Sequence, residues 1–267
     1  MTRVRFDSTD LQHPRDETPY WGEHAARYVF ALPHVLGKRV LDIACGTGYG
    51  SLILRQNAEA VTGVDVDFEA ARKANAGDGR GAIAVLVADG CKLPFGDHLF
   101  DAITSFETLE HLHDRDTFLK ELRRTLRPEG KLVLSTPNAN YTQPIDGKPR
   151  NRFHVHEYTP EELHAALQQH FSSVTLLGQV LDGRFRISPF WDAQQRLPRK
   201  PGIQFERFVW RVLNKMSVPV RNRASELLWN HSFLPYEHDY HFTPEAVETA
   251  PVLVAVCGGA LGGGNRN

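Results

Sequence analysis

The stretch from Arg39 to Gly50, R-V-L-D-I-A-C-G-T-G-Y-G, constrains the fold of this chain more than any other. Val40 to Ala44 is a short apolar run interrupted by Asp42, and it breaks into a loop with glycines at 46, 48 and 50. Ser51-Leu52-Ile53-Leu54 then reads as the start of a helix. A buried strand, a glycine loop and a helix let backbone N–H groups approach a ligand closely. Such a loop alone also occurs in dinucleotide-binding folds and as a plain turn, so three later features carry the argument. Val61-Thr62-Gly63-Val64 reads as a second strand ending in Asp65. An acid about 20 residues past such a loop is placed to accept hydrogen bonds from ribose hydroxyls. Val85-Leu86-Val87-Ala88 reads as a third strand ending in Asp89-Gly90, and Phe100 to Phe106 as a fourth ending just before Glu107.

The strands at 39–44, 61–64, 83–88 and 100–106 alternate with helices at 50–57 and from Phe68 to Asn75. This alternation predicts a parallel sheet wound by right-handed crossovers. An amphipathic helix from Thr117 to Leu126 is stopped by Arg127-Pro128-Glu129-Gly130, and Lys131 to Ser135 follows as a fifth strand. Asp65, Asp89, Glu107 and Asn138 all fall at carboxyl ends of strands, so they should face one crevice. Ahead of the first strand, Glu23 to Leu36 reads as a helix. Its apolar side is Ala26, Val29, Phe30 and Leu36; its polar side is Glu23, His24, Arg27 and Tyr28. The segment 139–152 reads as a loop over the crevice, Pro160 to Phe171 as a helix and Ser173 to Val180 as a sixth strand. Pro251 to Cys257 is the last strand. The intervening segment holds a helix from Ile203 to Met216 and a shorter one from Ala224 to Asn230. Residues 182–230 carry ten Lys/Arg against four Asp/Glu, which reads either as a solvated face or as a guide for an anionic substrate.

At these residues the chain resembles the class I S-adenosylmethionine (SAM) methyltransferases. Asp42, Gly46 and Gly48 match their D-x-x-x-G-x-G signature. Cys45 to Gly50 has the G-x-G-x-G spacing, not the G-x-G-x-x-G of nicotinamide-binding loops. The resemblance covers residues 20–178 and implies an α/β fold with a Rossmann-like, seven-stranded sheet. The expected departure is a helical insertion between the last two strands. It further implies Gly46 and Gly48 near the methionine part of SAM, Asp65 on the ribose, and Asp89 with Gly90 near the adenine. Asp42, Ala44, Val66 and Phe106 complete the candidate cofactor set. As plain turn formers, Asp65 and Asp89 would be structural instead. The expected organisation is an arm over 1–19, a methyltransferase domain over 20–180 plus 251–258, a cap or dimerisation element over 181–250, and a disordered tail over 259–267.

Phe106-Glu107-Thr108-Leu109-Glu110-His111-Leu112 is the next most informative stretch. On a helix Glu107, Glu110 and His111 would project from one side, where a divalent cation would join them. This block, followed by His154 ahead of Glu157-Tyr158-Thr159, resembles two groups of metal-dependent O-methyltransferases. One group acts on the terminal ribose of small RNAs and the other on catechol-like ubiquinone intermediates. The resemblance implies Glu107, Glu110, His111 and His154 as ligands of Mg²⁺, with Mn²⁺ open because two donors are imidazoles. Without a metal, the glutamate would cap a helix and the histidine would pack. His156 and His113 are the candidate bases, and His156 is preferred. The blocks at 23–28, 44–50 and 153–158 together resemble bacterial saccharide methyltransferases, those of methylated mannose polysaccharides among them. The expected acceptor is therefore a mono- or oligosaccharide hydroxyl. A catechol or quinone precursor is the alternative, and a SAM-binding regulator without catalysis is the reading from another class.

Composition adds exclusions. The formal net charge of −1 over 267 residues provides no global field for nucleic acid. Three cysteines, Cys45, Cys91 and Cys257, show no metal spacing and suggest a reducing compartment. Residues 1–10 lack the apolar core of a secretory signal, and no window approaches the roughly 18 apolar residues of a membrane span. A cytoplasmic, soluble protein with no membrane partner is the expectation, and a homodimer is one way to bury the insertion's apolar helix face.

Overall fold

Alternate residues along the central strands feed opposite faces of one sheet, and this alternation builds the core. The structure, a computed structural model, describes residues 20–77, 83–185 and 200–260. The helices are α1 (Tyr20–Val35), α2 (Tyr49–Leu54), α3 (Phe68–Gly77), α4 (Arg115–Thr125), α5 (Ala139–Thr142), α6 (Pro160–Gln168), α7 (Pro201–Leu213) and α8 (Val218–Trp229). The strands are β1 (Arg39–Ile43), β2 (Ala60–Asp65), β3 (Ala84–Val87), β4 (Phe100–Phe106), β5 (Leu126–Pro137), β6 (Phe171–Leu181), β7 (Tyr240–Thr243) and β8 (Val252–Ala260). Of the described residues, 27–180 and 242–260 form one compact unit, and 20–26 with 181–241 form a second.

The strands lie in the order β3-β2-β1-β4-β5-β8-β6-β7. Strands β1 to β5 pair in parallel, while β8 runs antiparallel to both β5 and β6. The chain winds outward from β1 to β3, then resumes at β4 on the other side of β1. That reversal opens a crevice at the carboxyl ends of β1 and β4, where open α/β sheets hold ligands. One sheet face packs Leu41, Ile43, Ile103, Leu132 and Leu134 with Phe118, Leu119 and Leu122 of α4 and Leu163 and Leu167 of α6. The other packs Val40, Ala102, Val133 and Val254 with Ala31 and Val35 of α1, Leu54 of α2 and Ala71 and Ala74 of α3. Each fully buried leucine of this kind contributes about 1.5–3 kcal/mol.

The sheet has eight strands, not the expected seven. The additional edge strand, β7, comes from the segment expected as a helical insertion, beyond its two expected helices. Its sequence Tyr240-His241-Phe242-Thr243 alternates in period two, the mark of a strand. Strand β8 also runs further than expected, since Gly258 pairs with Ser173 and Ala260 with Phe171. The rest of the expected tail, the arm at 1–19 and residues 186–199 of the insertion lie outside the described residues. Helix α8 begins at Val218 instead of Ala224 because Pro219 sits in its first turn, where the missing N–H is not needed. Helix α6 starts on a capping box in which Thr159 and Glu162 bond each other's backbone N–H groups.

The α1 faces differ from expectation. Val29 and Leu36 are exposed, whereas Arg27 and Tyr28 are 1% and 5% exposed. The Tyr28 ring lies where a side chain at Gly50 would otherwise be, and packs edge-on to Phe106 at 4.8 Å and Tyr49 at 5.5 Å. The Arg27 Nε–H donates to Gln179 Oε1 at 2.7 Å. A methyl group at Gly50 would land inside the Tyr28 ring, whereas one at Gly96 meets nothing within 4 Å. Thermal unfolding should therefore show Gly50→Ala destabilised by at least ~1–3 kcal/mol and Gly96→Ala within about 0.5 kcal/mol of the parent. Equal melting of the two variants would contradict this packing.

Candidate active site

The site starts from the turn after β1. Asp42 is completely buried, and its two oxygens accept hydrogen bonds from Ser51 Oγ and Thr104 Oγ1, both at 2.7 Å. These bonds tie β1 to the start of α2 and to β4. Beyond Asp42, Ala44, Gly46 and Gly48 all take positive φ, at 57°, 55° and 79°. Space is open above Gly46, while a Cβ at Gly48 would meet Ile83 at 2.9 Å and Ala74 at 3.0 Å. The Asp65 carboxylate turns back onto this loop, accepting from the Gly46 N–H at 2.7 Å and the Asp67 N–H at 2.8 Å. Next to it Val66 is exposed, and so is Ala44, leaving apolar surface open beside the loop. Asp89 caps its own turn by accepting from the Cys91 N–H at 2.8 Å. Gly90 is required by packing, since a Cβ there would meet the Phe118 ring at 2.8 Å.

Residues at positive φ store strain of order 1–3 kcal/mol and gather at functional sites. Two non-glycines with this conformation, Ala44 and Glu107 (φ 51°), directly follow β1 and β4, the strands that flank the crevice. Glu107 is thus not on a helix; only Leu109–His111 form a short 3₁₀ turn. Glu107 is not one of the three residues whose ligand atoms converge, though it lies near enough to act on the Glu110 carboxyl. Glu107 Oε1 accepts from Ser135 Oγ at 2.8 Å and lies 3.6 Å from the Arg27 guanidinium.

Glu110, His111 and His154 do come together, with one ligand atom of each within 4.8 Å of the others. Each is anchored from behind. Glu110 Oε2 accepts from Thr136 Oγ1 at 3.0 Å, and the Glu110 carbonyl accepts the Val155 N–H at 2.7 Å, which docks the 151–156 segment. His111 Nδ1 bonds the Phe153 carbonyl at 3.0 Å, so its lone pair is carried on Nε2. His154 Nδ1 bonds Glu157 Oε1 at 2.6 Å, and Asn151 Nδ2 donates to its Nε2 at 2.9 Å. Glu110 Oε1 is buried without a hydrogen-bond partner among the described residues, 3.6 Å from His111 Nε2. Burial, with Glu107 nearby, pushes the Glu110 carboxyl well above the usual range. Burial likewise lowers His111 and keeps it neutral. Burial pushes Glu157 upward, but its bonds to His154 and Thr142 outweigh that and hold it low, so it stays an acceptor. The His111 imidazole, with Nδ1 held by a carbonyl and Nε2 facing a buried carboxylate oxygen, is arranged as in metal sites.

The remaining predicted residues fall elsewhere. The His156 ring packs edge-on to Tyr158 at 4.5 Å with Nε2 3.8 Å from Glu162, while its backbone N–H donates to the Glu110 carbonyl at 3.2 Å. Asn138 does not face the crevice. Its amide donates to the Val247 and Ala250 carbonyls at 2.9 Å and accepts the Asn140 N–H at 3.0 Å. Phe106 is buried against Tyr28. Sequence reading leaves Arg27 either a solvated or a ligand-contacting place on its helix and assigns no role to Ser135, Thr136 or Glu157. Only Glu157, inside the His-Val-His-Glu block, left a local trace.

Residues 41–134 match the family described as a methyltransferase domain. A protein of Mycobacterium tuberculosis named a probable S-adenosylmethionine-dependent methyltransferase is 32% identical over 169 residues, covering 62% of this chain and 61% of that protein. The 27-O-demethylrifamycin SV methyltransferase of Amycolatopsis mediterranei is 30% identical over 131 residues, 43% of this chain and 48% of its own length. The chain thus spans about three fifths (61%) of the length of the first of these curated relatives. Among solved structures, the [4+2]-cyclase SpnF superposes with a TM-score of 0.56 at 20% identity, covering 90% of this chain and 82% of that one. That protein is a cyclase, so the likeness speaks for the fold alone. The architecture is a Rossmann-like α/β fold, and the methyltransferase-domain match covers residues 41–134 of it.

Asp42 supplies a pH test. Burial raises its pKa from 3.8 to about 6, against the two hydroxyl bonds that lower it. Its ionised form is therefore less favourable folded than unfolded, and this group adds stability as pH falls from about 6 to 3.8. The shift corresponds to at most about 3 kcal/mol. In Asp42→Asn this part of the stability-against-pH slope should vanish, as urea unfolding at several pH values would show. An unchanged slope would place the titration on another group.

Proposed function

We propose that the chain is a SAM-dependent O-methyltransferase whose acceptor is a small molecule bearing hydroxyls, a mono- or oligosaccharide in the first reading. The observation that carries the proposal is the Glu110–His111–His154 group, built just after β4, the strand paired with β1, which leads into the glycine loop held by Asp65. The relative from Amycolatopsis, by its name, methylates an oxygen of a small molecule, which supports the same reaction class here.

SAM supplies an electrophilic methyl group on a sulfonium. For it, the open space above Gly46 admits the methionine end, and Asp65 accepts ribose hydroxyls with the lone pairs its two backbone N–H bonds leave over. Exposed Val66 offers the adenine an apolar wall. The donor set fits a divalent ion: one buried carboxylate oxygen and two imidazoles with their Nδ1 atoms anchored. Two nitrogen donors favour Mn²⁺ or another transition ion over Mg²⁺, which prefers oxygen. Bound there, such an ion lowers the pKa of an acceptor hydroxyl and fixes its direction. Glu107, held at Oε1 by Ser135 and Arg27, takes the base role in place of His156, because it sits at the carboxyl end of β4. Glu157 positions His154 and does not touch substrate.

The test is methyl transfer from labelled SAM to saccharide and catechol panels, with Mn²⁺, with EDTA, and with Glu110→Gln. Label should enter a saccharide, and EDTA or the substitution should cut the rate at least about tenfold with SAM binding intact. Activity indifferent to both would remove the metal. Label on catechols alone would move the acceptor to the aromatic class, and no turnover on any acceptor would leave a non-catalytic SAM-binding protein. Glu157→Gln should weaken Mn²⁺ binding by roughly 10–100-fold without abolishing it. Equal affinity in a metal titration would deny Glu157 its positioning role.

A further inference from the structure

Helix α7 is apolar on two sides, and only one of them is buried within its own unit. Inward, Trp210 and Leu213 pack with Phe233 and Leu234. Outward, Phe205, Phe208 and Val212 follow the i, i+3, i+7 spacing that keeps them on one side of a helix, and Met216 follows in the turn after it. Phe205 is 68% exposed and Phe208 63%, and Val212 and Met216 are exposed with them. Helix α8 adds Val220, Leu227 and Leu228, of which Leu227 is 80% exposed. Soluble proteins seldom leave so many large apolar side chains in water over two consecutive helices, and such patches mark interaction surfaces.

The charges around the stripe say what covers it. Lys200, Arg211, Lys215 and Arg223 are exposed in this segment, against Glu226 as the exposed acid. A second copy of the chain, meeting the same face across a two-fold axis, would set these cations against their own counterparts. An anionic phospholipid surface has the complementary arrangement. Its acyl boundary accepts phenylalanine and leucine, while its phosphates meet lysine and arginine whose aliphatic stems reach past the apolar stripe. Among the described residues, no helix is long and apolar enough to cross a membrane. The element would therefore lie on the surface and not span it. We propose that α7 and α8 form an interfacial docking face for anionic phospholipid bilayers.

The experiment is co-sedimentation of the full chain with vesicles of mixed phosphatidylglycerol and phosphatidylcholine, and with phosphatidylcholine alone. The parent should pellet with the anionic vesicles at least about tenfold more tightly than with the neutral ones, and high salt should release it. The paired variant Phe205→Glu with Phe208→Glu should lose binding, and so should Arg211→Glu with Lys215→Glu. All four positions are exposed or face solvent in part, so melting temperatures should stay near the parent's. Failure of the parent to pellet with anionic vesicles would overturn the proposal, as would pelleting of the phenylalanine variant as well as the parent. A solution mass of two chains that the phenylalanine variant halves, without vesicle binding, would overturn it in favour of self-association. None of these readouts depends on methyl transfer, so this proposal and the enzymatic one fail separately.

Discussion

The buried carboxylate of Asp42 is the interaction on which the rest depends. A charge with no exposure is costly unless its lone pairs are used, and Ser51 and Thr104 use them. The two hydroxyls come from α2 and β4, so satisfying one side chain fixes the strand, the loop that follows it and the strand beside it. The loop then has one path. It passes through positive φ at Ala44, Gly46 and Gly48, and brings Gly50 under the Tyr28 ring. Tyr28 in turn packs on Phe106, the last residue of β4, and its neighbour Arg27 reaches Glu107. The switch point between β1 and β4 is thus built from both sides by groups that answer to Asp42.

Much of this was legible because it is local. The run from Val40 to Gly50 states strand, loop and helix within twelve residues, and the acid at 65 follows at the end of the next strand. Strand alternation gave the parallel half of the sheet. What was not legible depends on partners far along the chain. Arg27 reads as either a solvated helix residue or a ligand contact until Gln179, 152 residues away, accepts from its Nε. Asn138 reads as a crevice residue until the 244–250 segment returns to take its amide. Glu107, Glu110 and His111 share helical spacing, but Glu107 takes a left-handed conformation as β4 ends, and the spacing no longer applies. Sequence spacing reports geometry only where the assumed element forms.

The same limit shaped the reading of the insertion. The absence of a long apolar run speaks against a membrane span, yet it says nothing about a helix that lies along an interface. Deciding that needs to know which residues of α7 are inside. Trp210 and Leu213 are, so Phe205 and Phe208 are left outside. In the imidazole pair, too, the informative detail is orientation and not identity. Phe153 and Glu157 hold the Nδ1 atoms, and in His111 that choice of acceptor turns Nε2 toward Glu110.

The central proposal is that the crevice at the carboxyl ends of β1 and β4 receives SAM, with Asp65 at the end of the neighbouring β2 as a direct acceptor. Titration calorimetry with S-adenosylhomocysteine tests it most directly, because that product is stable and needs no acceptor. The account predicts one site per chain and an affinity at least about tenfold weaker in Asp65→Ala, the loss expected for a hydrogen bond to a charged group. No binding to the parent chain, or equal affinity in the variant, would contradict it.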